Sequence, residues 1–220
     1  MNFFLRCAAV VLVCQPVLAV PPPETQLVTP TELITAEAFD RPESLPAKGQ
    51  PGWHGGIGEW RIEGGVLTEK DEKPSEKRPN GHEAVCEHVT EAGDVVITAE
   101  FKLGGSPQVG FVCRDTLNPN NHLGRVLITP KGLSLLKMSG ISKETRREVL
   151  QTIETPMDPD AWHSILIEIS GDRWQARVGP HLLSARHERF KDLKGRIGMV
   201  ARGEGAQFRN VAVWKAKPKA

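Results

Sequence analysis

The chain contains no tyrosine, and aromatic residues make up only 5% of it. A ring platform with a polar edge must therefore be built from tryptophan or histidine, or be done without. Charge of one sign is also missing: the formal net charge is +1, with Lys and Arg interspersed among Glu and Asp. Such a balance provides no long-range field to steer nucleic acid or an anionic membrane, so nucleic acid is not an expected partner. No apolar run is long enough to cross a bilayer, which takes about 20 residues; the run from Cys7 to Val13 is interrupted soon after by Gln15 and Pro16. Cysteine is scarce, and Cys86 and Cys113 lack the C-x-x-C spacing of redox and zinc sites. Finally, no stretch has the period of a long helix, and no internal repeat is visible.

What is present begins with export. Arg6, the apolar run and the small-residue site Val17-Leu18-Ala19 have the layout of a secretory signal peptide over residues 1–19, with cleavage after Ala19. No membrane span is expected once it is removed. About 200 residues then remain, enough for one large all-β domain. In an exported compartment Cys86 and Cys113 can pair or can stand as two buried thiols, and spacing does not choose between them.

Residues 20–35, beginning VPPPETQ, read as a Pro-rich extended leader. The domain is expected over 36–216, with a tail at 217–220. Phe39 to Gly58 is too dense in Pro and Gly for a regular element, although Phe39 and Trp53 should tuck onto the domain. From Trp60 the chain alternates. WRIEGGVLTE is a hairpin around Gly64-Gly65, and KDEKPSEKRPNG is a solvated loop. In DVVITAEFKL, Val95, Ile97, Ala99 and Phe101 share one face and Glu100 lies on the other; in QVGFVCRD, Val109, Phe111 and Cys113 face inward and Arg114 outward. If these two segments pair, Glu100 and Arg114 share a face. Further strands are expected at HLGRVLIT, LSLLKMS, WHSILIEIS, RWQARV and HLLSARH, with Gly171-Asp172 as a hairpin turn. The stretch Gly195 to Ala216 reads as a glycine-bounded closing hairpin with Phe208, Ala212 and Trp214 facing inward. Turn signals every 8 to 12 residues or so imply an all-β, two-sheet antiparallel β-sandwich, a jelly roll.

The order of several segments resembles the 3-keto-disaccharide hydrolase-like domain family of exported bacterial proteins. These segments are Phe39-Asp40, GEWRIEGGVL, VITAEFKL, VGFVCRD, Trp162 opening WHSILIEI, and GRIGMVARGEGAQFRNVAVWK with its Gly195, Gly198, Phe208, Arg209 and Asn210. The resemblance covers about residues 36–216. It implies a concanavalin A-like jelly roll and a carbohydrate partner held at the concave face of one sheet, with hydrolysis of a 3-keto-glycoside as the family activity. The chain departs from that family where it has Gly105-Ser106-Pro107-Gln108-Val109-Gly110, His122-Leu123-Gly124-Arg125-Val126 and Gly179-Pro180.

A glycosidase uses two carboxyl groups flanking the scissile bond. Glu100 and Glu168, both on strand faces, are the candidate catalytic carboxylates. Arg114, Asp115, His122, Arg125 and Trp162 are candidate substrate-binding residues, and the alternative reading is a non-catalytic glycan-binding or cell-surface module of the same fold. His82, His88, His122, His163, His181 and His187 show no metal-ligand spacing. The loop with Asp115, Asn118, Asn120 and Asn121 has calcium-type oxygens, but these are equally turn formers. No metal or cofactor is assigned, and no oligomeric state is implied.

Overall fold

The computed structural model describes residues 20–40, 45, 51–115, 121–141 and 144–219. The segment 1–19, expected to be a signal peptide, lies outside the described residues.

Strands run in chain order as β1 (Val28–Glu37), β2 (His54–Ile57), β3 (Glu59–Glu63), β4 (Val66–Lys70) and β5 (Ala84–Ala92). They continue with β6 (Val95–Lys102), β7 (Gln108–Asp115), β8 (His122–Thr129), β9 (Gly132–Ser139) and β10 (Arg146–Glu154). The last are β11 (His163–Ser170), β12 (Arg173–Val178), β13 (His181–Arg186), β14 (Lys194–Arg202) and β15 (Glu204–Pro218). They form the expected two-sheet antiparallel sandwich. An eight-stranded sheet has the order β13-β12-β11-β6-β15-β4-β3, with β1 also pairing β15; a seven-stranded sheet has the order β10-β9-β8-β7-β14-β5-β2.

Alternation fills the space between the sheets. Ile97 and Phe101 from β6, Phe111 and Cys113 from β7, Ile167 from β11 and Trp174 from β12 are all at most 1% exposed and belong to one apolar cluster. Each large side chain buried this way contributes about 1.5–3 kcal/mol. Phe39 and Trp53 join the cluster as expected. Cys86 and Cys113 are free and buried. They flank β14, opposite Met199 and Ile197, so two strand spacings, about 10 Å, separate them, too far for a disulfide. Burial pushes both thiols up, Cys113 to about 12.

Two readings of strand partners do not hold, for one reason: a turn reverses the chain without stating which sheet receives it. The segments β6 and β7 do not pair. The first pairs β11 and β15, the second β8 and β14, so Glu100 and Arg114 lie on opposite outer faces of the sandwich. The stretch Gly195 to Ala216 is not a hairpin either, because β14 and β15 belong to different sheets. The crossing is at Gly203, whose φ of 90° suits glycine. Within β15, Phe208 faces the core, but Ala212 and Trp214 do not; Val211 and Val213 take the inward places. The cause is a bulge between Arg209 and Ala212, where Asn210 has φ 51° and resets the alternation.

Strand β1 crosses the boundary expected between a leader and the domain. It pairs β15 from Val28↔Pro218 to Glu37↔Val211. Val28 packs with Val96, Ala212 and Trp214 in a small apolar cluster on the outer face of the eight-stranded sheet.

Candidate functional site

The candidate residues divide between the two outer faces. On the eight-stranded sheet lie Glu100, Glu168 and Trp162. Glu100 stands opposite Ser164, whereas Glu168 stands opposite Val96. Four residues of ladder, about 13 Å, therefore separate the two carboxylates, beyond the separation of about 5–10 Å that glycoside hydrolysis uses. Each is also engaged. Glu168, 3% exposed, accepts the backbone N–H groups of Gln26 (2.9 Å), Leu27 (2.6 Å) and Val28 (3.2 Å) and so anchors the approach to β1. Glu100 accepts from Arg209 Nε at 2.6 Å and from Asn210 Nδ2 at 3.2 Å. The Arg209 guanidinium in turn lies 4.0 Å above the ring of Trp162, and Lys102 Nζ is 5.3 Å from that ring. Glu100 and Asn210 border a depression of about 430 Å³ that Ser164, Leu166 and Arg177 also line.

The outer face of the seven-stranded sheet gathers Arg114, His122 and Arg125. Arg114 is opposite His122, and Arg125 is opposite Val112. Simple alternation from Arg125 would turn His122 inward. A register shift beside Arg114 prevents this: Leu123 is in the core and Gly124 also faces inward, where an added Cβ would stand 2.5 Å from Trp174. Two successive inward residues return His122 to the outer face.

Sequence reasoning missed the residues that organise this face. Glu87 on β5 forms ion pairs with both Arg114 and Arg196, the latter at 3.4 Å. Glu83 pairs with Arg125 and accepts from Gln108 Nε2 at 3.4 Å. His54 stands opposite Glu87 on β2. In EAVCEHV and GRIGMV the outward positions of Glu87 and Arg196 follow from alternation. That β5 and β14 lie beside β7 does not.

Glycine makes room for this network. A Cβ on Gly110 would stand 3.0 Å from Arg125 Nε and 2.8 Å from the Val126 carbonyl oxygen, so the guanidinium crosses a position that only glycine leaves open. Arg125 is 2% exposed, and its Nε has no hydrogen-bond partner among the described residues. The His122 imidazole is pushed down to about 3, first by burial and then by the charges of Arg114, Arg125, Arg147 and His82. Its Nδ1 is likewise buried and without a partner among the described residues. Burial pulls Arg114 down, opposed by Glu87 and Glu83.

Asp115 does not share this face. It ends β7 with the inward alternation, 8% exposed, with Arg189 at 3.6 Å. Asn121 Oδ1 accepts from the Gly140 N–H at 2.9 Å, a long-range link between the start of β8 and the end of β9 that occupies this oxygen; Asn118 and Asn120 lie outside the described residues. No group of three or more His, Cys, Asp or Glu placed to hold a metal occurs among the described residues.

No family model and no curated protein matches the sequence. Solved structures do match the fold. The carbohydrate binding module CBM66 from Bacillus subtilis superposes with TM-score 0.60 at 15% identity, over 76% of this chain and 98% of that one. The CBM2 module of the Lactobacillus casei BL23 phage J-1 evolved Dit gives 0.58 at 9%, over 89% and 100%. The laminarinase from Rhodothermus marinus gives 0.55 at 16%, over 87% and 99%. Taken with the sheet order and the buried core, these similarities make the chain a concanavalin A-like jelly-roll sandwich.

Proposed function

We propose that this chain is an exported, non-catalytic carbohydrate-binding module that holds a glycan across the outer face of the seven-stranded sheet. The observation that carries the reading is the network in which Glu87 and Glu83 fix Arg114, Arg196 and Arg125 beside His122. Planar guanidinium forks held in place by carboxylates lose little freedom on meeting a ligand, which favours hydrogen-bonded recognition of a polar one. Gln108, His122 and Arg196 keep part of their surface in solvent. The names of the similar structures, a carbohydrate binding module and a laminarinase, point to the same ligand class. The signal-like segment 1–19 supports export.

Binding is favoured over hydrolysis because Glu100 and Glu168 are about 13 Å apart along the ladder and each already accepts hydrogen bonds from other groups. The 3-keto-glycoside hydrolysis implied by motif resemblance would need a different carboxyl pair. A glycan array probed with the purified chain and with Arg114→Ala tests the proposal, alongside an assay for reducing sugar released from any glycan bound. Retention of a glycan by the wild type, loss in the variant and no sugar release is the expected result. An array without hits, or hits indifferent to Arg114→Ala, would overturn the site; sugar release would restore the hydrolase.

A further inference from the structure

Within the reading just given, the charge arrangement specifies the ligand further. Among the described residues, Arg114, Arg125 and Arg196 form ion pairs only with Glu83 and Glu87, and the single carboxylate of Glu87 serves two guanidinium groups. One positive charge is left without its own counter-charge. Arg147, exposed on β10, adds another close enough to act on His122. Three guanidinium groups, those of Arg114, Arg125 and Arg147, act on that imidazole and add to the effect of burial in disfavouring its protonated form.

The polar inventory points the same way. Arg125 Nε is a buried donor without an acceptor among the described residues, in a side chain only 2% exposed. Arg114 is 9% exposed and is drawn toward the neutral form by burial, against the pull of Glu87 and Glu83. Burying a charge without a full partner is costly, and an incoming anion is what would relieve that cost. Guanidinium groups receive carboxylate and sulfate oxygens through two parallel N–H···O bonds, which a neutral hydroxyl cannot match.

We propose that the glycan held here is acidic: a sugar bearing an anionic substituent, carboxylate or sulfate, received by Arg114 and Arg196 beside His122, with Arg147 at the rim and Arg125 beneath. The inference rests on the carbohydrate-binding reading but fails separately from it.

The experiment is an array, followed by calorimetry on its hits, in which uronate oligosaccharides are paired with their methyl esters and sulfated oligosaccharides with their desulfated forms. The acidic member of a pair should bind about 10-fold or more tightly, the factor expected for one charge-assisted pair. The advantage should shrink with added salt. Because Arg114 and Arg125 are buried, the diagnostic variants are Arg196→Gln and Arg147→Gln on the more accessible positions. Both should erode the preference while leaving the thermal midpoint near that of the wild type; Lys215→Gln on the other sheet should change neither. Preference within the uronate pair or within the sulfated pair identifies which anion is recognised. Equal binding of the acidic and neutral members would overturn the inference and leave the glycan-binding proposal standing. The absence of any bound glycan would overturn both.

Discussion

Arg114 and Arg196 stand opposite each other on neighbouring strands and share one carboxylate, that of Glu87. Two like charges are thus held side by side on a largely desolvated face. Glu87 is 6% exposed and Arg114 9%, so removing the carboxylate's charge leaves the arginines facing each other. Glu87→Gln should cost about 3–5 kcal/mol, as for breaking a buried ion pair. Urea unfolding at neutral pH measures it, and a loss under 1 kcal/mol would mean that solvent screens the pair.

A second prediction concerns pH. Burial, with the charges of Asp71 and Glu204, raises Glu69 from 4.5 to about 7, against the lowering effect of a hydrogen bond from the Ala206 N–H. Between those values the native state keeps a proton that the unfolded chain has released, so stability falls as pH rises from 4.5 to 7. The contribution is about 3 kcal/mol. Glu69→Gln should flatten that slope and gain stability at pH 8. His122 acts in the opposite direction. Its native value near 3 lies below 6.5, so below pH 6.5 the unfolded chain takes up a proton that the folded one refuses, and stability falls as pH drops toward 3. His122→Asn should reduce the acid sensitivity. Denaturant midpoints recorded from pH 3 to 9 would show both slopes or disprove them.

The Glu168 carboxylate holds the chain at Gln26, Leu27 and Val28 through charge-assisted hydrogen bonds. Glu168→Gln keeps the shape but loses the charge, at a cost of about 2–4 kcal/mol. Hydrogen exchange should accelerate at residues 26–37 before it does in β6 or β11. Unchanged protection there would show that pairing with β15 suffices to hold β1.

Asn210 occupies the left-handed region at the bulge that resets β15. Asn210→Gly should be nearly neutral for folding, whereas Asn210→Val should cost about 1–3 kcal/mol, because a β-branched residue resists positive φ. Thermal midpoints of the two variants provide the comparison, and equal midpoints would remove the bulge as a point of strain.

Gly124 faces Trp174 at a distance that admits no side chain. Gly124→Ala should destabilise the sandwich by about 1–3 kcal/mol through overpacking. It should also shift the His122 imidazole resonances, since the same bulge carries His122 outward. A stable variant with an unmoved His122 spectrum would sever that link.

Much of the sandwich was legible because strand alternation is a local property. The inward sets Val95, Ile97, Ala99, Phe101 and Val109, Phe111, Cys113 stand in the core as read. Partnering is not local. Nothing in DVVITAEFKL says that its neighbours are β11 and β15, so whether Glu100 shares a face with Arg114 stayed conditional on a pairing that does not occur, and the two lie on opposite faces. Bulges hid the rest, since one residue in the left-handed region at Asn210 reverses the faces of Ala212 and Trp214. At the site, Arg114, His122 and Arg125 could be nominated as polar residues on adjacent segments, whereas Glu87 and Arg196 needed the knowledge that β5 and β14 run beside β7. The Phe208-Arg209-Asn210 signature has a structural use: Phe208 packs the core, Asn210 forms the bulge, and Arg209 joins Glu100 to Trp162.

The pairing of β1 with β15 also has a mechanical meaning. Val28 faces Pro218, and the Lys219 N–H donates to the Leu27 carbonyl, so the two strands meet with their outer ends together. Tension applied through residues 28 and 218 would load that ladder from its end and part its hydrogen bonds one after another, as a zip opens, instead of shearing them all at once. A module tethered on both sides would therefore yield first along this seam, while the face that carries Arg114 and Arg196, on the other sheet, kept its shape under load.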